Sequence, residues 1–140
     1  MKVIDLDQQF LVFAGIRMQE YADGDAATIA FSGPAWNYKK GADGLGTRSK
    51  NYDRSALLTL RLSRGSAINS LLSAIFNKDY KSSNGSGIAP FMLKDGQGDT
   101  LLEGQESYIE SPPDETITAT PGPREWKIRI DHLEGDWGGN

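Results

Sequence analysis

Ile68, Leu71, Leu72, Ile75 and Phe76 fall at i, i+3, i+4, i+7 and i+8, which lines one face of an α-helix. No other stretch of the chain carries that stripe. The segment before it, ALLTLRLS, places Leu58, Leu60 and Leu62 on one side and Thr59 and Arg61 on the other, the period of a half-buried strand. The pattern predicts a mainly β domain with one flanking helix over about 66–77, capped by Ser63 or Ser66.

At 140 residues the chain closes one core, so a single domain over 1–140 is expected. It has no cysteine, which removes disulfides, thiolate metal sites and a cysteine nucleophile and fits a reducing compartment. Residues 1–13 lack the long apolar core of a secretory leader, and no apolar run approaches the roughly 20 residues of a spanning helix. A cytoplasmic product with no membrane binding of its own is therefore expected. The formal charge of -4 argues against gripping nucleic-acid phosphates, which takes concentrated Lys and Arg.

In chain order, residues 1–8 are a polar lead-in and a strand is expected near 9–18. The turn residues Tyr21–Asp25 precede the alternation of Ala27, Ile29 and Phe31, so a first hairpin is expected there. Gly33-Pro34 ends that strand and opens a long loop over 34–53. A structureless loop of about 20 residues in a compact domain calls for a function. This one carries Trp36, Tyr38, Lys39, Arg48, Lys50 and Tyr52, with Arg54 just beyond, a mixture of aromatic anchors and cations common at contact surfaces.

After the helix, residues 78–87 read as a flexible connection. Ile88–Leu93 and Thr100–Glu110 form a second hairpin, and Thr116–Thr120, between two proline pairs, suits a short edge strand. The last strand, Arg124–Leu133, sets Trp126, Ile128 and Ile130 on one face. Residues 135–140 form a Gly-rich tail in which Trp137 is a possible exposed anchor.

Chemical motifs fail on inspection. Gly41-Ala-Asp-Gly44-Leu-Gly46 has Thr47 where a phosphate loop needs Lys. Asp95, Gln97, Asp99 and Glu106 match calcium-loop spacing, but Thr100 stands where that loop needs Gly. The lone His132 has no second His or Cys and reads as a packed or interface residue sharing a face with Ile130. No nucleophile elbow or carboxylate pair is legible, so no enzyme, metal or cofactor is expected.

The order of several short segments points further. Tyr21-Ala-Asp-Gly24, Gly41-Ala-Asp-Gly44, Arg48-Ser-Lys-Asn-Tyr-Asp-Arg-Ser55 and the TLRL strand lie in the first half. Ile68-Asn-Ser-Leu-Leu-Ser-Ala74, Pro90-Phe-Met-Leu-Lys-Asp-Gly96, Pro112-Pro113-Asp114 and Arg124-Glu-Trp126 follow in the second. Across nearly its full length the chain resembles the tail tube proteins of contractile-tailed bacteriophages.

That resemblance implies a β-sandwich or barrel with one helix, six copies to a ring, and rings stacked into a hollow tube inside a contractile sheath. It also implies partners: further copies of the chain, the sheath protein, a baseplate or tube initiator, a tail terminator, and the tape measure protein and DNA passing through the lumen. The location implied is the virion tail, assembled in the host cytoplasm. The loop residues Trp36, Tyr38, Lys39, Arg48, Lys50, Tyr52 and Arg54 are the expected inter-subunit contacts, and Thr59 and Arg61 possible lumen-facing residues. A tube-initiator or baseplate ring protein and a monomeric β-barrel binding module are the alternatives. A nucleic-acid binder is distinguished by stacking aromatics among cations on strands.

Overall fold

The computed structural model describes residues 9–96 and 99–138. The polar lead-in 1–8, Gln97 of the calcium spacing and the last two tail residues lie outside the described residues. The elements in order are β1 (Gln9–Phe13), β2 (Ile16–Arg17), β3 (Ala27–Phe31), β4 (Trp36–Lys40), β5 (Gly46–Lys50), β6 (Ala56–Leu62), α1 (Ile68–Lys81), β7 (Ala89–Asp95), β8 (Leu101–Ser111), β9 (Arg124–Ile130) and β10 (Glu134–Asp136). The mainly β fold with one flanking helix is as expected.

Eight strands form one antiparallel sheet in the order β2-β1-β7-β8-β9-β6-β3, with β10 also pairing β8. The long β8 makes this possible: Leu101–Glu103 pair with β10, while Ser107–Ser111 pair with β9 along the same edge. The sheet curls strongly. Tyr21 bridges Leu62 on the β3 side of β6, six strand spacings or about 29 Å from β2 in a flat sheet. The four residues from Arg17 to Tyr21 span at most about 14 Å, so the sheet's two ends must approach one another in the barrel sense.

The alternating residues fill the inside. Leu11, Phe13, Leu58, Leu60, Leu62, Phe91, Trp126, Ile128 and Ile130 are all buried, as the period-2 pattern of β6 and β9 requires. Ser107, wholly buried in this core, is satisfied: its hydroxyl donates to the Ala89 carbonyl at 2.6 Å. Gly104 on β8 leaves room for a neighbour, since a Cβ there would lie 2.5 Å from Ile130 Cγ2 and 3.1 Å from the His132 carbonyl. Gly104→Ala is therefore expected to destabilise the domain by about 1–3 kcal/mol through overpacking. The midpoint of urea unfolding measures it, and an unchanged midpoint contradicts this packing.

α1 covers the core with Ile68 and Leu72, while Ile75 and Phe76 pack partly against it. Leu71, expected in the same stripe, is instead 49% exposed, because the contact is centred on the Ile68–Leu72 line. Ser66, not Ser63, serves the N-terminus: its Oγ accepts the Ile68 N–H at 3.2 Å from just outside the helix.

Several expectations are corrected. The first hairpin is β1–β2, turning at Ala14-Gly15 with both φ positive, whereas β3 pairs with β6. The connection 78–87 begins as helix through Lys81 and is tied down where Gly87 N–H donates to Asp79 Oδ1 at 3.0 Å. Thr116–Thr120 is no strand, and Ile117 is 93% exposed. The tail is partly ordered by β10 pairing. His132 is not packed; it lies beyond β9, exposed, with Nε2 2.7 Å from Glu134 Oε1.

Candidate assembly surface

The loop expected over 34–53 is a β-ribbon. Trp36 faces Lys50, Tyr38 faces Arg48 and Lys40 faces Gly46, in a two-stranded sheet separate from the main one. Its apolar periodicity is weak, so local bonds define it. At the tip Gly41 N–H donates to the Leu45 carbonyl at 2.9 Å, Asp43 Oδ1 accepts the Leu45 N–H at 3.1 Å, and Gly44 takes a φ of 88°. All ten strand residues are exposed. The ribbon therefore stands off the body as an arm.

Strand alternation sorts its residues. Trp36, Tyr38, Lys40, Arg48 and Lys50 share one face, and Asn37, Lys39, Thr47 and Ser49 the other. The Arg48 guanidinium sits 4.0 Å from the Trp36 ring centre, and Lys50 Nζ lies 5.5 Å from that of Tyr52. The Tyr38 ring crosses to Gly46, where a Cβ would come within 2.9 Å of its hydroxyl. Between Trp36 and Lys50 four cations face one carboxylate, Asp43, a formal +3 in a chain of -4.

The arm's root is clamped to the sheet. Asn51 N–H donates to the Ala35 carbonyl at 2.8 Å, and Ser32 N–H to the Ser55 carbonyl at 3.0 Å. Arg129, held by both oxygens of Glu110, donates to Ser32 Oγ at 3.2 Å. The Ser55 hydroxyl and N–H hold the Asp53 carboxyl below its ordinary value, with the Arg129 charge adding to the effect. Arg54, expected at a neighbour, lies 3.9 Å from the ring centre of Phe31, which also meets Trp137 at 5.8 Å between ring centres. These bonds fix the direction in which the arm leaves.

Thr59 and Arg61 lie half-buried on the face of β6 opposite Leu58, Leu60 and Leu62, and Arg61 Nη1 donates to the Asp23 carbonyl at 3.4 Å. The sequence expectation separated nucleic-acid binding from assembly by whether Trp36 and Tyr38 lie on strands. They do lie on a strand, which corrects the expectation of a loop, and position alone no longer separates the two. One face of each ring is covered, by Arg48 or by the Gly46 backbone, while Trp36 stays 46% and Tyr38 70% exposed.

The arm leaves where β3 ends and β6 begins. The opposite pole gathers the end of β6, the start of β3 and the connection 112–123 between β8 and β9. Sequence reasoning missed this second surface. Glu115 bridges Arg64 and Arg124 there, and these hydrogen bonds, Arg124's first, hold its carboxyl below the ordinary 4.5. A depressed carboxylate stabilises above its unfolded value and loses that contribution as pH falls through its folded one. Protection of the amides over 114–120, taken against the intrinsic exchange rate at each pH, is thus expected to be level from neutral pH to about 5 and to fall below 4.5. Equal exchange in Glu115→Gln and the parent at neutral pH contradicts the bridge.

Two clefts open at this pole. One, of about 780 Å3, lies between α1 and Pro112–Glu115 with Trp126 among its walls; Trp126 Nε1 donates to Asn69 Oδ1 at 3.0 Å. The other, of about 770 Å3, lies between Tyr21–Asp23 and Pro121–Pro123. Burial pushes the Tyr21 hydroxyl up, partly offset by Arg17. No group of three or more His, Cys, Asp and Glu suited to a metal occurs among the described residues, and no helix there is long and apolar enough to cross a membrane.

This mainly β fold matches those of solved tube and terminator structures of contractile injection systems. The chain is similar to the sheath/tube terminator of the PVC extracellular contractile injection system in its extended state, with a TM-score of 0.64 and 10% identity over 98% of this chain and 99% of that one. It is also similar to the PVC sheath-tube complex in its extended state (TM-score 0.62, 9% identity, 96% and 91% covered) and to the tube terminating cap of the anti-feeding prophage (TM-score 0.59, 9% identity, 97% and 92% covered). In sequence it is 28% identical over 100 residues to a structural protein, ORF10, of Pseudomonas phage KPP10. That match takes in 71% of this chain and 58% of the phage protein, so it spans little more than half of the relative. No protein-family model matches. The relatives are structural proteins of phages and contractile injection systems, not enzymes.

Proposed function

We propose that this protein is the tube subunit of a contractile phage tail: six copies close a ring, and rings stack into the hollow inner tube surrounded by the sheath. The observation that carries the proposal is the exposed, root-clamped arm on a fold shared with tube and terminator proteins. An arm whose ten strand residues are all exposed is suited to contact another subunit. β3 supports ring closure, since it is an outer strand with no ladder partner on its far side among the described residues. Both contacts are heterologous; the first closes around an axis and the second repeats without closing.

In this role the lumen passes DNA without holding it, and net negative charge favours transit by repelling phosphate. Thr59 and Arg61 are proposed for the lumen wall, and Trp36, Tyr38, Lys39, Arg48, Lys50, Tyr52 and Arg54 for contacts between subunits or their support. The proposed partners are the sheath protein, an initiator or baseplate ring, a terminator, and the tape measure protein and DNA in transit. Its place is the virion tail, after assembly in the host cytoplasm.

A second reading has its own support. Two of the structural relatives are terminators or caps, and the terminator likeness is at least as close as the tube likeness. A terminator forms one capping ring, whereas a tube subunit propagates. Electron microscopy of the concentrated protein separates them: open-ended tubes support the tube subunit, and single rings that never stack support the terminator.

A further inference from the structure

Asn84-Gly85 lies in the connection that joins the end of α1 to β7. Asn84 is exposed, and Gly85 takes a φ of 71°, a conformation that glycine adopts without strain. The Asn84 N–H donates to Ser82 Oγ at 3.1 Å, and the Ser82 hydroxyl in turn donates to Asn84 Oδ1. That bond polarises the side-chain carbonyl and makes Cγ more electrophilic. Neither Asn84 Nδ2 nor the Gly85 N–H has a hydrogen-bond partner among the described residues. An amide carbon open to attack is thus followed by a backbone nitrogen that no bond holds back and no Cβ shields.

The fold guards the other described asparagines. Asn69 accepts from Trp126 Nε1 and donates to the carbonyls of Ser63 and Arg64, and the Ser70 N–H that follows it is engaged by the Ala67 carbonyl. Asn51 is held at both ends of its amide, by the Asp53 N–H and the Pro34 carbonyl. Asn77 lies inside α1, where the following N–H belongs to the helix ladder. Asn37 lies inside β4 and is followed by the bulky Tyr38.

We propose that Asn84 is a site of spontaneous deamidation, a covalent modification built into this connection. The Gly85 nitrogen gives its proton to solvent base and bonds to Asn84 Cγ. The Cγ–Nδ2 bond breaks, and the amine takes up a proton and leaves as ammonia. Water then opens the cyclic succinimide: cleavage between the nitrogen and Cγ gives aspartate, and cleavage between the nitrogen and the α-carbonyl gives isoaspartate, with the chain routed through Cγ. Water is the only co-reactant, and one negative charge is added to the formal -4. The new carboxylate stands beyond the last turn of α1, where Lys78 and Lys81 offset its unfavourable approach to the helix C-terminus. The methylene that isoaspartate inserts falls in exposed chain, because the bonds of Gly87 N–H to Asp79 Oδ1 and of Ile88 N–H to the Gly85 carbonyl, both 3.0 Å, seat the residues that follow. The fold therefore survives the change.

Peptide mapping by mass spectrometry follows each asparagine while the folded protein stands at mildly alkaline pH, beside the same chain in urea. Asn84 is expected to convert in the fold within about threefold of its rate in urea, while Asn51 and Asn69 slow by about tenfold or more. Isoaspartate and aspartate are expected together at Asn84. Asn84→Gln is expected to remove the acidic species that grows in isoelectric focusing and to leave the urea midpoint unchanged. Conversion at Asn84 slowed by the fold as much as at Asn69, or an acidic species undiminished in Asn84→Gln, overturns the site. Aspartate without isoaspartate overturns the attack by the Gly85 nitrogen.

Discussion

Removing Trp36–Lys50 and joining Ala35 to Asn51 through an Asn-Gly turn is expected to give a subunit that folds as before and no longer assembles. The junction is prepared for this, because Asn51 N–H already donates to the Ala35 carbonyl and Asn51 Nδ2 to that of Pro34. A two-residue turn suits such a neck. None of the removed residues belongs to the buried core, so the thermal midpoint should move by no more than a few degrees. Assembly, by contrast, loses its aromatic anchors and +3 charge together, and side chains of this kind dominate interface energy. Light scattering on the variant and the parent at equal concentration measures the effect. Normal tubes from the shortened chain contradict the arm's assignment.

The largest effect on stability is expected at Trp126. It is buried at the junction of β9 and α1, and its indole N–H holds Asn69, whose amide in turn donates to the carbonyls of Ser63 and Arg64 ahead of the helix. One side chain thus joins the sheet to the start of α1. Trp126→Ala removes the ring and leaves a cavity, at about 3–5 kcal/mol, and lowers the midpoint by roughly 10 °C or more. Trp126→Phe keeps most of the apolar contact and loses the hydrogen bond, at about 1–2 kcal/mol. Equal losses from the two would show that the bond to Asn69, rather than packing, holds the helix in place.

The strands easiest to read were those with one buried face. β6 and β9 alternate because one side meets the core, and their registers bring Leu58 opposite Ile128 and Leu60 opposite Trp126. Pairing partners were harder. Turn residues at Tyr21–Asp25 show that the chain reverses, but nothing local says that β3 joins β6 across the barrel instead of β1. The Ala14-Gly15 turn was hidden because Ala14 adopts positive φ without the usual residue type.

The candidate site was legible by residue type and not by conformation. Trp36, Tyr38, Arg48 and Lys50 marked a contact surface, yet WNYKK and GTRSK lack the apolar alternation by which a strand is recognised, because neither face of the ribbon meets a core. The converse error fell at Thr116–Thr120. β-branched residues there have strand propensity and no partner, since propensity counts only where a neighbouring strand exists. The cleft between Tyr21–Asp23 and Pro121–Pro123 joins residues about 100 apart in sequence, so no motif could have disclosed it.

The central claim is that the chain assembles through heterologous contacts into stacked rings. Negative-stain electron microscopy of the purified protein, concentrated stepwise with its mass followed by light scattering, tests that claim most directly. Hollow tubes or stacked rings of increasing mass are the predicted result. The mass of a single chain at every concentration, with no particles on the grid, would contradict it.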